Sequence, residues 1–570
     1  MRRHLNIDIE TYSSVDLKTC GLHKYVESDD FEILLISYSV DFGEVVTIDM
    51  ASGEKAPAEF FEMLADWKTT KHAYNASFEI ICLSKFYSVY PAQWLCTMFL
   101  GSAFGYPLGL KAIGEALGVS KETVKDAAGT MLIKYFSCPC KPTKSNGGRS
   151  RNLPHHNPEK WELYKKYNAQ DVVAEMEIYK QLRPLCVHIP QRELQRWVND
   201  FWVNYNGIKV DSKLCESIVR MNDAVVAEAE NTAKQILGVD KPNSPAVIVD
   251  YLKTKGIKAA DLRAETVAEL LEDNTIDRET AQLLQSRQIL SKSSIKKFYT
   301  ILEATCKDGK VKGLLQFYGA HTGRWAGRLV QMQNLKRNSL SWLDEARQLC
   351  ISGDLQTLEL MGAPTEIFSQ LCWTAFIPSK DKFIVADFSA IEARVLAWLA
   401  NEDWVLDAFR NGKDIYCETA SRMYGVPVEK HGANSELRQK GKIAVLALGY
   451  GGGSAALRTM GGKNFEMSLT DQEITVAAFR KANGSICRFW RELDEAAKSA
   501  IKYTGSIAFA GKLKVKVISN SRVKFLTIEL PSGRFLFYPE PEIGTNRFGS
   551  ASVTYMTDTV KGWERVDTYG

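Results

Sequence analysis

At 570 residues the chain is long enough for several domains, and its 45% hydrophobic and 25% charged content is that of an ordinary globular protein. A formal net charge of +4 is too mild to name a polyanionic partner, although it permits one, since a local basic groove matters more than the total. The start Met1-Arg-Arg-His-Leu-Asn-Ile-Asp8 has no apolar signal core, and no apolar run is long enough to span a bilayer. A secreted or membrane protein is therefore not expected, and the twelve scattered cysteines read as the reduced thiols of a cytoplasmic protein.

The first predicted element is a strand. Leu5-Asn-Ile-Asp-Ile-Glu10 alternates apolar and polar residues, so the Asp8 and Glu10 carboxylates leave the same face. Paired acids on an inner strand are costly without a cation, whereas an exposed edge strand would carry them with no function. Strands over Glu32–Val40 and Val45–Asp49 follow. His72-Ala-Tyr-Asn-Ala-Ser-Phe-Glu79 reads as a strand-to-helix junction bearing another acid. Tyr167 and Asp171 are four apart in a long helical pattern and therefore share a face. Such widely separated acids with a tyrosine suit a two-metal phosphodiesterase, in which one ion activates water and the other stabilises the leaving oxygen.

Between these segments, Cys138-Pro-Cys140 and His155-His156 invite a zinc reading, but Cys138 and Cys140 lack the usual separation of a zinc-binding pair. The preferred reading is a Gly/Pro-rich basic loop whose Lys141, Lys144, Arg149 and Arg151 can touch a phosphate backbone.

A glycine-centred break at Asn206-Gly-Ile-Lys-Val-Asp211 marks a domain seam. A long helix is predicted from Ser212 to about Leu237, and another starts at Asn243-Ser-Pro245. Residues 286–298 predict one helix carrying Arg287, Lys292, Lys296 and Lys297 outward, with Ile289, Ile295 and Phe298 inward. In Thr322-Gly-Arg-Trp-Ala-Gly-Arg328, small residues between Arg324 and Arg328 allow close approach to a phosphate chain. Gln333-Asn-Leu335 comes next.

Phe383-Ile-Val-Ala386 reads as a short buried strand ending on Asp387, after which Ile391, Val395, Leu396 and Leu399 recur at helical spacing around Glu392 and Arg394. A carboxylate at a strand tip is well placed for a divalent ion, while the plain alternative makes Asp387 an N-cap and Glu392 a solvated residue. In Glu436–Gly451 the residues Arg438, Lys442, Leu446 and Tyr450 advance by four along one drifting helix face, cationic at one end and aromatic at the other. Gly451-Gly-Gly453 stops that helix. Helix is predicted over 479–501, then strands over 526–530 and 534–538 joined by Pro531-Ser-Gly533.

These words resemble those of family A DNA polymerases, the bacterial DNA polymerase I type. Asp387-Phe-Ser-Ala-Ile-Glu-Ala-Arg394 is similar to the first palm motif, which implies that Asp387 binds the two catalytic magnesium ions and that Glu392 crowds the sugar 2′ position. The 436–451 segment resembles the nucleotide-binding fingers helix, with Arg438 and Lys442 on the incoming triphosphate and Tyr450 near the templating base. The family usually has phenylalanine or tyrosine where Leu446 stands, and leucine should pack less well against the sugar. Asp414-Ile-Tyr416 resembles the family's Asp-Ile-His segment. Arg324, Arg328, Gln333 and Asn334 correspond to primer-template contacts, and Lys292 and Lys296 to the phosphate-gripping thumb. The N-terminal segments resemble the three motifs of the proofreading 3′-5′ exonuclease. That likeness implies metal ligation by Asp8, Glu10 and Asp171 and water orientation by Tyr167; Asn75 and Phe78 fit, while Glu79 stands where aspartate is usual.

The resemblance implies a mixed α/β multidomain fold. A ribonuclease-H-like exonuclease domain (1–186) precedes a right-hand polymerase domain. The latter divides into thumb (187–320), first palm part (321–400), fingers (401–500) and second palm part (501–570). The implied partners are primer-template DNA and deoxynucleoside triphosphates, with Mg2+ as cofactor and Mn2+ as a substitute; no membrane is implied. One element is not found. The family's His-Asp-Glu hairpin, whose aspartate is the second ligand of the palm, has no counterpart after His431, where Asp558 and Asp567 are candidates only by position. Either chain beyond Gly570 or a complementing polypeptide would then complete the palm; otherwise this chain alone acts as an exonuclease or as the DNA-binding part of a split polymerase. The compact size resembles phage-encoded members, which would place the protein in an infected bacterial cell.

Overall fold

A computed structural model describes residues 3–119, 127–273, 275–292, 294–461, 468–520, 522–546 and 548–568. Gly570 and Ser293, which fall in segments discussed above, lie outside these residues. The chain forms two units. The first comprises Met1–Thr97, Lys125–Met176 and Gln195–Phe383; the second comprises Met98–Val124, Glu177–Leu194 and Ile384–Gly570.

The first unit is built on a five-stranded sheet of order β3-β2-β1-β4-β5. Its strands are β1 (His4–Tyr12), β2 (Glu32–Val40), β3 (Val45–Asp49), β4 (Thr70–Ala73) and β5 (Trp94–Cys96), with β1, β2 and β3 where the sequence predicts strands. β1–β2 and β2–β3 are antiparallel, whereas β1–β4 and β4–β5 are parallel. The β1–β4 register runs His4↔Thr70 to Asn6↔His72, so Asp8 and Glu10 lie beyond the last paired residue of β4. There the chain leaves β4 and turns into the Ala76–Ser84 helix. Binding groups gather outside strand ends because the sheet stops offering backbone partners there. The Pro158–Leu182 helix contributes Trp161, Tyr164 and Tyr167 to a core with Tyr12, Leu34, Leu35 and Phe136.

The rest of this unit is largely helical. The Ser212–Leu237 helix, capped by Asp211 at its start and by left-handed Gly238 at its end, covers the span its periodicity predicts. Short ribbons pair β6 (Ile208–Lys209) with β7 (Lys310–Val311), and β8 (Leu315–Gln316) with β9 (Ala326–Gly327). The single helix predicted over 286–298 is instead two, Arg278–Ser291 and Lys296–Ala304. Lys292 turns extended between them, after Ser291, whose hydroxyl donates to Gln288 O at 3.3 Å.

The second unit carries a four-stranded antiparallel sheet, β10 (Ile507–Ala510), β11 (Leu513–Ser519), β12 (Lys524–Glu529) and β13 (Phe535–Pro539). The β12–β13 hairpin is the one predicted. A three-stranded sheet follows, β14 (Glu542–Thr545), β15 (Ala551–Thr559) and β16 (Gly562–Asp567). The helix predicted over 479–501 is broken at Asn483, giving Leu469–Ala482 and Gly484–Lys502. Asn483 leaves helical geometry while donating Nδ2 to Phe479 O at 2.9 Å, and the Glu402 carboxylate accepts from Ser485 N (2.8 Å) and Ile486 N (3.1 Å). A cap supplied from 83 residues away in sequence is invisible to local periodicity.

The buried strand predicted at 383–386 is not formed. Residues 383–388 form no regular secondary structure, with Ile384 91% and Val385 88% exposed. An apolar run becomes a buried strand only where neighbours accept its backbone hydrogen bonds, and among the described residues none does. No described helix is long and apolar enough to cross a membrane. Among the described residues no cysteine forms a disulfide.

Candidate active sites

In the first unit, Asp8, Glu10 and Asp171 bring carboxylate oxygens within 4.8 Å of one another. β1 supplies two of them from one face and the Pro158–Leu182 helix supplies the third. The same helix holds the strand's acids in place. Asn168 Nδ2 donates to Asp8 Oδ2 at 2.6 Å, and Asn168 Oδ1 accepts from Ser37 Oγ at 2.5 Å. Ser37 Oγ is also 2.7 Å from Thr47 Oγ1 on β3. Tyr164 donates its hydroxyl to Glu10 Oε2 at 2.6 Å and lies 2.7 Å from Ser137 Oγ. Tyr167 stacks on Tyr164 at 6.2 Å between ring centres, one turn before Asp171. Tyr164, Tyr167, Asn168, Asp171 and Glu175 thus form one helix face, a spacing of three and four that could have exposed Tyr164, Asn168 and Glu175 in the sequence.

Glu79 stands beside this group rather than in it. Its carboxyl is buried, Oε2 has no hydrogen-bond partner among the described residues, and it lies outside the three-acid cluster. Burial, with Glu10 and Glu175 adding repulsion, pushes it up to about 8. Burial likewise pushes Glu175 up to about 7, against the bonds it accepts from Thr97 Oγ1 and, at 2.7 Å, from Asn6 Nδ2. Two oxygen-rich, converging walls of acid are chemically suited to a hard divalent cation, which removes the cost of confining three carboxylates.

Cys138 and Cys140 are the thiols of the zinc alternative. Neither belongs to a metal-competent group among the described residues, and Cys140 Sγ faces Arg149 O at 3.4 Å. His156 Nδ1 is engaged by Leu153 N at 2.8 Å, capping a short turn. In the same loop Arg151 lies over the Tyr12 ring at 3.8 Å and pairs with Glu32 at 2.5 Å.

In the second unit, Asp387 is exposed on the unpaired 383–388 segment. Among the described residues Asp387 belongs to no group of three or more candidate metal ligands; Asp558 on β15 and Asp567 on β16 are sheet residues, paired in register with Trp563 and Thr554. Glu392 sits in the first turn of the Ile391–Ala400 helix, and its carboxylate accepts from the Tyr450 hydroxyl. Between them opens a cavity of about 380 Å3, lined by Phe388, Ile391, Glu392, Tyr416, Leu446 and Tyr450 among others.

The predicted helix carrying Arg438, Lys442 and Leu446 is formed. The Leu437–Leu448 helix buries Ile443, Ala444, Ala447 and Leu448, leaving Arg438, Lys442 and Leu446 half-buried and Tyr450 exposed. Arg438 donates Nε and Nη2 to Asp414 Oδ2 at 2.9 and 2.8 Å. Burial alone would raise Asp414; the Arg438 guanidinium and the Cys417 and Tyr416 amides outweigh it and hold the carboxyl below the usual range. Gly441 is required between this helix and Ile415–Tyr424, because a Cβ there would lie 2.2 Å from Tyr416 O.

The nucleic-acid candidates lie in the first unit. Arg328 Nη2 donates to Gln316 Oε1 at 3.0 Å, Asn334 Nδ2 donates to Gln331 Oε1 at 3.0 Å, and the Gln333 side chain covers Gly327 so closely that a Cβ would meet Nε2 at 2.1 Å. Arg324 stands in the turn closed by Gly323, in the left-handed region at φ 81°. Lys292 pairs with Glu366, which also accepts Lys336, and Lys296 is exposed.

Compared with known proteins, residues 212–521 match the family model described as DNA polymerase family A. A DNA polymerase of Bacillus phage SP02 is 43% identical over 576 residues, covering 99% of this chain and 87% of that protein. DNA polymerase I of Geobacillus stearothermophilus is 26% identical, over 44% of this chain and 26% of its own length. Among solved structures, the POL domain of Pol1 from M. smegmatis, in complex with DNA primer-template and dNTP, aligns with TM-score 0.54 at 16% identity. The alignment covers 88% of this chain and 76% of that one.

Proposed function

The chain belongs to DNA polymerase family A and is a DNA polymerase of DNA replication, and from that premise we propose that it also carries a 3′-5′ exonuclease site at Asp8, Glu10 and Asp171. The observation that carries the proposal is the convergence of those three carboxylates at the open end of a mixed sheet of order β3-β2-β1-β4-β5, an arrangement that fits a ribonuclease-H-like fold. Magnesium, or manganese in its place, would be held by Asp8, Glu10 and Asp171 and would supply the charge that activates water and stabilises the departing 3′ oxygen. Tyr167 orients the attacking water, and Glu79 borders the pocket. The basic 138–156 loop guides a single strand by its phosphates.

For synthesis, Arg438 and Lys442 bind the triphosphate of the incoming deoxynucleotide, with Asp414 fixing the guanidinium. Tyr450 meets the base, Leu446 lies near the sugar, and Glu392, held by the Tyr450 hydroxyl, crowds the 2′ position. Arg324, Arg328, Gln333 and Asn334 contact primer-template DNA, aided by Lys292 and Lys296, and Asp387 is the first carboxylate of the synthetic centre. The work is done in the cytoplasm of an infected cell.

A second reading is favoured by one observation, the exposure of residues 384–388, Asp387 among them. In it, a carboxylate-bearing strand that is not among the described residues, on a complementing polypeptide, pairs with this segment to complete the synthetic centre.

One assay tests both. The purified chain is given a 5′-labelled primer on a longer template, magnesium and the four deoxynucleotides. Extension lost in Asp387→Ala, with shortening lost only in Asp8→Ala/Glu10→Ala, is the expected result. Digestion that survives the double substitution sinks the exonuclease site; shortening without extension selects the second reading.

A further inference from the structure

Trp325 sits between Arg324 and Arg328, and its ring is tied to a different element. Trp325 Nε1 donates to Asp200 Oδ1 at 2.7 Å, on the Gln191–Asn206 helix. One turn on, Asn204 Nδ2 donates to Asp200 Oδ2 at 3.1 Å. The same Asn204 brackets the backbone of Leu315 on β8: its Oδ1 accepts from Leu315 N at 2.9 Å, and its Nδ2 donates to Leu315 O at 3.1 Å. β8 pairs with β9 through Leu315↔Gly327 and Gln316↔Ala326, so both strands of the ribbon and the turn between them hang on two helix side chains. Phe317 closes against the indole at 5.3 Å between ring centres.

The arrangement is costly unless it is specific. Asp200 is only 8% exposed, and burial pushes it up to about 6 against the bonds from Trp325 and Asn204. An indole N–H can only donate, so the acid and the ring satisfy each other and fix the ring's direction. Half of Trp325 remains exposed at 48%, so the ring anchors the turn rather than filling a core. A two-strand ribbon of this length has little stability of its own.

We propose that Asp200, Asn204 and Trp325 form a clasp that sets the position of the Arg324–Arg328 turn for primer-template DNA. They act as positioning residues that touch the ribbon and leave the phosphates to the arginines. This rests on the reading that Arg324 and Arg328 contact the DNA backbone.

The test uses the full chain and a fluorescent primer-template, with dissociation constants measured across a salt series. KM for DNA and for nucleotide are measured alongside. Arg324→Ala and Arg328→Ala each lower the slope of log affinity against log salt by about one, the loss of one phosphate contact. Trp325→Phe keeps the ring and removes the donor; it and Asp200→Ala weaken DNA binding about tenfold and lower the same slope, with the effect on the KM for DNA and not on that for nucleotide. Asp200→Asn, which keeps the accepting oxygen, restores affinity to within about twofold. Should the arginine variants lower the slope while Trp325→Phe leaves affinity and slope unchanged, the clasp is refuted. An Asp200→Asn variant as weak as Asp200→Ala refutes it as well. If the arginine variants themselves leave the slope unchanged, it is the reading of the turn as a DNA contact that fails.

Discussion

Asn168 donates to the Asp8 carboxylate at 2.6 Å while accepting from Ser37 at 2.5 Å, so an acid on β1 is aimed by a helix residue that is itself aimed by β2. Partners behind a metal-binding carboxylate fix its direction, and their loss typically reduces metal affinity or activity by about 10- to 100-fold. Asn168→Ala should therefore slow primer shortening by about that factor, and the magnesium concentration for half-maximal digestion should rise. Tyr164→Phe, which removes the donor to Glu10, should act in the same direction. An unshifted magnesium titration in both variants would show that the helix does not aim these acids.

Gly129 presents a steric test of the same site. A Cβ at this position would lie 2.0 Å from Tyr167 Cε2, so Gly129→Ala must displace the ring. Overpacking of this kind costs about 1–3 kcal/mol. The variant should show a lower thermal midpoint and slower digestion. Adding Tyr167→Ala vacates the space and should restore the midpoint while leaving digestion impaired.

Asp414 caps the Ile415–Tyr424 helix and also holds Arg438 at 2.8 and 2.9 Å. Asp414→Asn retains a good N-cap but gives up the charged pairing. The expected outcome is a higher KM for nucleotide, by about tenfold, with the KM for DNA little altered. An equal rise in both constants would point to a general loss of structure instead.

His23 sets an expectation for acid stability. Burial, with Lys312 adding repulsion and Asp308 opposing, pulls its value down to about 4 from the usual 6.5. Between those values the unfolded chain binds a proton that the folded chain refuses, so stability falls as pH drops from 6.5 towards 4 and is unaffected by this group above 6.5. The full loss is on the order of 3 kcal/mol. His23→Phe, which can keep the edge contact with Tyr205, should flatten that part of the denaturation midpoint against pH. A slope identical to that of the parent would show that His23 is not the titrating group.

Residue order alone carried much of the chemistry. Alternation in Leu5–Glu10 put two acids on one strand face, and a spacing of four put Tyr167 with Asp171 and aligned Arg438, Lys442, Leu446 and Tyr450, because these periodicities follow from backbone geometry and need no partner. What depends on a distant partner came only from the tertiary structure. It brought Asp171 to Asp8 and Glu10, paired Asp414 with Arg438 and Trp325 with Asp200, and broke the helix at Asn483 with a cap from Glu402. It also left Phe383–Ala386 without a sheet, although its apolar pattern suits a strand, since hydrophobicity records what a segment can bury and only neighbouring backbones decide whether it is buried.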